Sequence, residues 1–362
     1  MILNLIEVLV FSSLLLLSFI LVTNPMKVNI KANRWFGWLL LLWASYWFDE
    51  VYSLVTNEQI QISTFFVVAF IQFFTPLLFF ISVCHFTTPA YKLKKDLPNF
   101  LILPFVYLLI LISDKFLPAN LYLLQLIFVL IHALLFTTLS FIRIRKHQSN
   151  IQQFASSTQE INLNWLEYII LAMISLVFIV GVFNIVFFEL PLNVFMNAMV
   201  LLVVLFITYN SLKQKEIFPK NNVMVQQVID INEEIEEVPK RQIVTDNQME
   251  ELKYQLDELM MRDEPYLNSE LNLIKLAELL GVTSHQLSYV INQGYNENFF
   301  QFVNRFRVEK AKLMLSDKEN NKLSILGVAF ESGFSSKTSF NTTFKKLTEQ
   351  TPSEYKKKCS GL

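Results

Sequence analysis

Two stretches near the C-terminus decide the fold class: residues 273–292 read LIKLAELLGVTSHQLSYVIN, and residues 324–347 read SILGVAFESGFSSKTSFNTTFKKL. In each, a small residue precedes a glycine by four positions. The pairs are Ala277 with Gly281 and Ala329 with Gly333. A small residue lets two helices touch, and glycine readily takes the positive φ of a tight turn. Each stretch therefore predicts a helix-turn-helix.

Apolar anchors follow each glycine and predict where the second helix of each pair lies. Leu287 follows Gly281 by six positions, whereas Phe340 follows Gly333 by seven, so the second turn is predicted to be one residue longer. Val290 and Phe344 continue the two anchoring stripes at helical spacing.

One further helix is predicted between the two helix-turn-helix stretches. Asn298 is suited to capping a helix over 299–315, because an Asn side chain accepts from the free N–H groups of a first turn. Its buried stripe would be Phe302, Phe306, Ala311 and Leu315. A helix of 17 residues spans about 25 Å, a rigid spacer that suits placing two helices in successive major grooves about 34 Å apart.

With these residues in place, the tail over 268–357 resembles the DNA-binding domain of AraC/XylS-type transcription regulators. Arg307 with Ala311 and Leu315 resembles the R-x-x-x-A-x-x-x-L of that family. The second stretch resembles its I-x-x-x-A-x-x-x-G-F-x-S-x-x-x-F-x-x-x-F-K-K and T-P-x-x-Y. The matching residues are Ile325, Ala329, Gly333, Phe334, Ser336, Phe340, Phe344, Lys345, Lys346, Thr351, Pro352 and Tyr355. The chain departs at Glu349, where the family usually has Gly, and at Lys356, where Arg is usual.

Resemblance and spacing together imply a DNA-contacting surface. The candidates for reading bases are His285, Ser288, Tyr289, Lys337, Thr338, Asn341 and Thr342. The candidates for contacting phosphate are Ser335, Ser336, Lys345, Lys346, Arg307 and Lys356. Two alternatives stay open: the lysine run from Lys356 to Lys358 is equally well a solvated tail, and Arg307 is equally well structural.

The first 220 residues have the composition of a membrane domain. Hydrophobic residues make up 53% of the 362-residue chain and charged residues 17%, too little charge for the surface of a wholly soluble protein. Apolar runs of bilayer length predict seven spans: Leu3–Val22, Trp35–Val55, Phe65–Cys84, Leu97–Ile112, Leu121–Ile142, Trp165–Phe188 and Leu190–Tyr209. A kink is expected at Thr75-Pro76 and a hairpin at 189–191. The predicted fold class is all-α: a seven-helix transmembrane bundle, then a small all-α domain with two helix-turn-helix units joined by a linking helix.

Basic residues predict the orientation of the spans. Of 13 Lys and Arg in residues 1–220, 12 fall in four alternate segments: between spans one and two, three and four, and five and six, and after span seven. Because cytoplasmic loops retain Lys and Arg, the N-terminus is predicted outside and the C-terminus in the cytoplasm. The expected location is the cell (inner or cytoplasmic) membrane, crossed several times.

Residues 221–264 form an acidic helical connector with a net charge of −8, before the basic domain over 265–362. Met249, Leu252, Leu256 and Leu259 are spaced like the seam of a coiled coil. Either the 245–262 helix forms a short coiled coil with a second copy of the chain, or it packs on the next domain.

Four acidic residues near the outer ends of the spans are weak candidates for a signal site: Glu7, Asp49, Glu50 and Glu189. One interpretation is simple solvation at the membrane interface. The other is an acidic vestibule for a cationic or amine-bearing signal, with Trp43 and Trp47 as its walls.

The sequence offers little for catalysis. It contains no GxGxxG, GxxxxGK[ST] or HExxH string, and its two cysteines lie far apart, so no enzyme activity, cofactor or metal site is expected. The interpretation is a membrane-bound DNA-binding transcription regulator. Its expected partners are double-stranded DNA, the lipid bilayer, RNA polymerase, a second copy of the chain and an unidentified signal molecule. The alternative is a membrane signalling receptor or transporter whose cytoplasmic tail binds a protein.

Overall fold

The computed structural model describes residues 2–58, 62–88, 91–116, 121–186, 193–218, 244–317 and 323–359. Within these ranges the chain is all-helical, as predicted, and its β structure is confined to one isolated bridge between Ala155 and Asn272. The chain divides into two compact units. The N-terminal unit holds residues 1–147 and 163–217, and the C-terminal unit holds residues 148–162 and 218–362.

The N-terminal unit consists of long apolar helices. They are α1 Ile2–Thr23, α2 Ile30–Ala44, α3 Phe48–Thr56, α4 Ile62–Gln72, α5 Thr75–Thr87, α6 Leu93–Phe116, α7 Tyr122–Asn150, α8 Asn164–Val186 and α9 Asn193–Lys213; the last three residues of α7 belong to the C-terminal unit. In the described part of the chain, five helical stretches are long and apolar enough to cross a membrane: Ile2–Thr23, Phe66–Thr87, Leu93–Asp114, Tyr122–Gln153 and Val194–Lys213. The count of seven spans stays a prediction.

The helices depart from the predicted spans at several points. The second predicted span is broken, because α2 ends at Ala44 and a 3₁₀ turn over Ser45–Trp47 precedes α3. The third is interrupted just before Thr75-Pro76, the site of the expected kink, where proline lacks the N–H that would continue the helix. The fourth runs longer than predicted, with Pro98 and Pro104 inside α6. The hairpin predicted at 189–191 lies outside the described residues.

The C-terminal unit contains seven further helices in its described residues. They are α10 Asp246–Arg262, α11 Leu273–Leu280, α12 Ser284–Tyr289, α13 Phe299–Ser316, α14 Ile325–Glu331, α15 Lys337–Thr348 and α16 Pro352–Cys359. The linking helix α13 serves two hydrophobic clusters. Phe302 and Val303 belong to the cluster around α11 and α12, whereas Val308 and Ala311 belong to the cluster around α14 and α15. Both helix-turn-helix pairs therefore pack against the same helix, α13.

The apolar stripe of the connector is used inside the C-terminal unit. Leu256 and Leu259 are buried in the first cluster, and Met249 and Leu252 pack against it. The structure thus favours the alternative in which α10 packs on the next domain. The four residues that are spaced like a coiled-coil seam face the chain's own core. Residues 221–243 of the connector lie outside the described residues.

Arg307 on α13 is the main polar contact in the core of the C-terminal unit. Its side chain is 1% exposed, and its guanidinium donates to five acceptors. They are the carbonyls of Tyr266 (2.8 Å), Asn268 (2.9 Å) and Ser156 (3.0 Å), Ser156 Oγ (2.9 Å) and Asn304 Oδ1 (3.3 Å). Burial lowers the pKa of Arg307 to about 10, so the group stays charged at neutral pH and keeps all its donors.

We predict that Arg307→Lys lowers the free energy of unfolding of the C-terminal unit by about 2–4 kcal/mol. An ammonium keeps the charge but lacks the planar fork, so buried acceptors lose their partners. Hydrogen exchange of the α13 amides in the full chain in detergent measures the change. Unchanged exchange together with weaker DNA binding would instead assign Arg307 to phosphate contact.

We also predict different costs for alanine at the two turn glycines. Gly281 has φ +74° and open space around its missing Cβ, so Gly281→Ala costs only the left-handed backbone, about 1–2 kcal/mol. Gly333 has φ +86°, and a Cβ there would lie 2.3 Å from the carbonyl oxygen of Tyr266. Gly333→Ala should cost about 3–5 kcal/mol, because backbone must move. Hydrogen exchange of the α11 and α15 amides compares the two; equal losses would contradict this.

Candidate nucleic-acid interface

The two predicted turns have the same backbone geometry. In the first, the N–H of Val282 donates to the carbonyl of Ala277 at 3.0 Å, and in the second, the N–H of Phe334 donates to the carbonyl of Ala329 at 3.0 Å. The glycine before each donor has positive φ, the arrangement that closes a helix and redirects the chain. The second helix begins three residues after Gly281 and four after Gly333, so the second turn is one residue longer, as predicted.

Capping side chains set the start of each second helix. Thr283 Oγ1 accepts from the N–H of Gln286 at 3.2 Å, and the Gln286 side chain accepts from the N–H of Thr283 at 3.1 Å. Ser336 Oγ accepts from the N–H of Ser339 at 3.2 Å and starts α15. Asn298 caps α13 in the same way, as the sequence predicted. These short local bonds define where the candidate reading helices begin.

The base-reading candidates of the second pair lie on one side of α15. Phe340 and Phe344 are fully buried, whereas Lys337, Thr338 and Thr342 are exposed. Asn341 is half-buried, one turn beyond Lys337. Positions i and i+4 share a helix face, so the structure brings Lys337 and Asn341 together.

The base-reading candidates of the first pair lie on the shorter helix α12. His285, Ser288 and Tyr289 are all half-buried, and Leu287 between them is fully buried. Ser288 Oγ accepts from Asn292 Nδ2 at 3.3 Å. The helix continues as one π turn over Val290–Gly294, which buries Val290 and Ile291.

The phosphate-contact candidates divide into three groups. Lys345 and Lys346 are exposed in the last turn of α15, and Lys356 is half-buried with its Nζ 3.4 Å from the carbonyl of Leu323. Arg307 is buried, and its five hydrogen bonds described above lie within the chain, which favours the structural alternative for this residue.

Ser335 and Ser336 form the third group, and their hydroxyls have partners. Ser335 Oγ lies 2.6 Å from Ser157 Oγ, and Ser336 Oγ donates to Gln159 Oε1. Both partners come from the segment between α7 and α8, which the sequence suggested only as a loop. Ile151 and Phe154 are apolar residues in a mostly polar stretch, and they were the sequence feature that could have indicated that this segment packs into a core.

Glu349, which stands where the AraC/XylS-type domain usually has Gly, ends α15 in the left-handed conformation. Its φ is +60°, and its N–H donates to the carbonyl of Lys345 at 2.8 Å. The helix end thus keeps the geometry that glycine favours, at the strain that a side chain adds there.

The candidate signal residues lie in the N-terminal unit and are only partly brought together. Glu7 is buried, and its Oε1 accepts from Asn197 Nδ2 at 3.2 Å; Asn197 Oδ1 in turn accepts from Trp47 Nε1 at 3.0 Å. Asp49 and Glu50 lie in the first turn of α3, where Asp49 is half-buried and Glu50 exposed. Trp43 and Trp47 have ring centroids 6.3 Å apart. Glu189 lies outside the described residues.

Comparison with known proteins bears on the C-terminal unit. Residues 276–358 match the family model of a helix-turn-helix domain. Uncharacterized HTH-type transcriptional regulators of Staphylococcus aureus strains COL, MSSA476 and N315 are each 36% identical to the chain over 93 residues. The match covers 26% of this chain and 12% of each relative, about an eighth of their length. No solved structure matches. The C-terminal unit therefore contains a helix-turn-helix domain, as predicted from the sequence.

Proposed function

We propose that this chain is a sequence-specific, DNA-binding transcription regulator held in the cell membrane by its N-terminal unit. The observation that carries the proposal is the paired helix-turn-helix: one turn geometry occurs twice, each time followed by a capped helix with a buried anchor. The match of residues 276–358 to a helix-turn-helix domain supports it. A signal received by the N-terminal unit would change promoter binding by the C-terminal unit.

The charge distribution suits a DNA partner. Residues 265–362 hold 13 Lys and Arg against 9 Asp and Glu, and Lys345 and Lys346 are exposed at the end of α15. Lysines near a reading helix attract phosphate and orient the duplex, while the polar residues of α12 and α15 read base edges. RNA polymerase is the further partner that such a regulator would meet at a promoter.

The membrane part of the proposal draws on two independent features. Five described helical stretches are of membrane-crossing length and apolarity. The basic residues of the first 220 positions concentrate in alternate loops, which assigns the C-terminal unit to the cytoplasm, where DNA is found. A second copy of the chain would bind through a surface other than the buried stripe of α10. The signal would act near Glu7 and the start of α3.

We predict that the full chain in lipid nanodiscs selects a defined motif from random duplex DNA. The motif should have two half-elements about one helical turn apart, because two reading helices enter successive major grooves. Binding should weaken steeply and linearly on a log–log plot against salt, because phosphate contacts release counterions. Absence of any enriched motif, with salt-independent binding of a protein partner by the same preparation, would favour the receptor alternative.

We predict that Lys337→Ala and Asn341→Ala each weaken binding to the selected motif by about 1–3 kcal/mol, and relax specificity at one base position each. Lys346→Ala is the matched comparison on the same helix. Because Lys346 is proposed to contact phosphate, Lys346→Ala should weaken binding to all sequences about equally. It should also reduce the slope of the log–log salt plot by about 1. Fluorescence anisotropy with cognate and mutated duplexes measures both effects. Unchanged affinity and base preference for Lys337→Ala and Asn341→Ala would show that α15 does not read bases.

A further inference from the structure

The segment between α7 and α8 is part of the hydrophobic core of the C-terminal unit. Residues 151–161, here named the docking segment, place Ile151 and Phe154 in the cluster around α11 and α12, where they are 1% and 7% exposed. The N–H of Leu273 donates to the carbonyl of Phe154 at 2.9 Å. Because apolar burial is the main driving force for such packing, the buried side chains of the docking segment attach it to the C-terminal unit in addition to its covalent connections.

The middle of the docking segment is held by buried polar contacts. Ser156 is 1% exposed; its carbonyl accepts from Arg307 Nη1 at 3.0 Å and from Asn304 Nδ2 at 3.1 Å. Its hydroxyl donates to the carbonyl of Leu271. Buried polar groups lose stability when a partner is removed, so these bonds fix the position of the neighbouring residues.

The far end of the docking segment lies at the start of the reading helix α15. Gln159 Oε1 accepts from the hydroxyl of Ser336, the residue that caps α15, and Ser157 Oγ lies 2.6 Å from Ser335 Oγ. The amide oxygen of Gln159 accepts the hydroxyl proton of Ser336, which a DNA phosphate oxygen would otherwise accept. The two acceptors cannot use the same proton at once.

We infer that the docking segment competes with DNA for the start of α15, so that the second helix-turn-helix grips DNA fully only when Ser157 and Gln159 have left it. The inference rests on the proposed function, because it takes Ser335 and Ser336 as phosphate contacts. The start of α15 is then an interaction surface that binds either the docking segment or a DNA duplex.

The ends of the docking segment connect this competition to the N-terminal unit. The segment continues directly from α7 and runs into α8. Within the N-terminal unit, Arg145 Nη2 of α7 lies 2.5 Å from Glu167 Oε1 of α8, and Trp165 Nε1 donates to Gln214 Oε1 at 2.9 Å. A signal that shifts α7 against α8 changes the geometry of the segment they hold. By linkage, DNA binding would bias the same helices in return.

Point variants of opposite effect test the competition in the full chain in lipid nanodiscs. Gln159→Ala removes the competing acceptor and should bind the selected duplex about tenfold more tightly, as expected from the loss of one hydrogen bond. Gln159→Glu places a carboxylate at the helix start and should bind less tightly than the wild type, because an anion is favoured there. Thr158→Ala, next to both contacts, is the matched control and should leave the affinity unchanged.

A reversible lock gives a second, independent readout. Ser157→Cys with Ser335→Cys, in a Cys359→Ser background, should form a disulfide when oxidised glutathione is added as the oxidant, since the two hydroxyl oxygens are already in contact. The oxidised protein should lose specific binding to duplex, and dithiothreitol should restore it.

The outcomes separate the inference from the proposed function. Specific binding by the wild type with no change in Gln159→Ala, Gln159→Glu or the oxidised lock would overturn the competition and leave the function standing. Failure of every variant, including Gln159→Ala and the reduced double cysteine, to bind any duplex would overturn both. Tighter binding by Gln159→Ala and weaker binding by Gln159→Glu, with Thr158→Ala unchanged, would support both.

Discussion

A single buried guanidinium organises the C-terminal unit. Arg307 carries a charge where water is excluded, and such a group is tolerated only when its donors are satisfied. Its acceptors come from the docking segment, from the chain before α11 and from its own helix. The carbonyl of Tyr266 that accepts from Arg307 Nε is also the atom against which Gly333 packs. The turn of the second helix-turn-helix is therefore built against a backbone that Arg307 holds in place.

This arrangement places a piece of the N-terminal half of the sequence inside the C-terminal unit. A division by charge and hydropathy assigns residues 148–162 to a loop of the membrane domain, whereas the compact unit that contains them is the C-terminal one. In the proposed function, a signal received by the N-terminal unit would have a direct covalent route through α7 and α8, besides the acidic connector. This segment contacts Ser335 and Ser336, directly before the first residue of α15, where the proposed function expects a phosphate contact.

Local features of the site were predictable because they depend on neighbouring residues alone. The positive φ at Gly281 and Gly333, the cap at Asn298 and the longer second turn follow from side-chain chemistry within a few positions. The role of Arg307 was not predictable with the same certainty. Its position four residues before Ala311 put it on the buried face of α13, but only the carbonyls brought there by distant segments explain why a charge can remain.

By itself, the sequence determined that the chain is all-helical, that its C-terminus carries two helix-turn-helix pairs and that its first part is unusually apolar, because periodicity, turn residues and composition are local properties. Only the tertiary structure decided which apolar stripes face which core. In the tertiary structure, the apolar stripe of α10 and the side chain of Phe154 both pack in the hydrophobic cluster around α11 and α12. The physical reason is that burial is shared between segments far apart in sequence, so no single stretch records its partner.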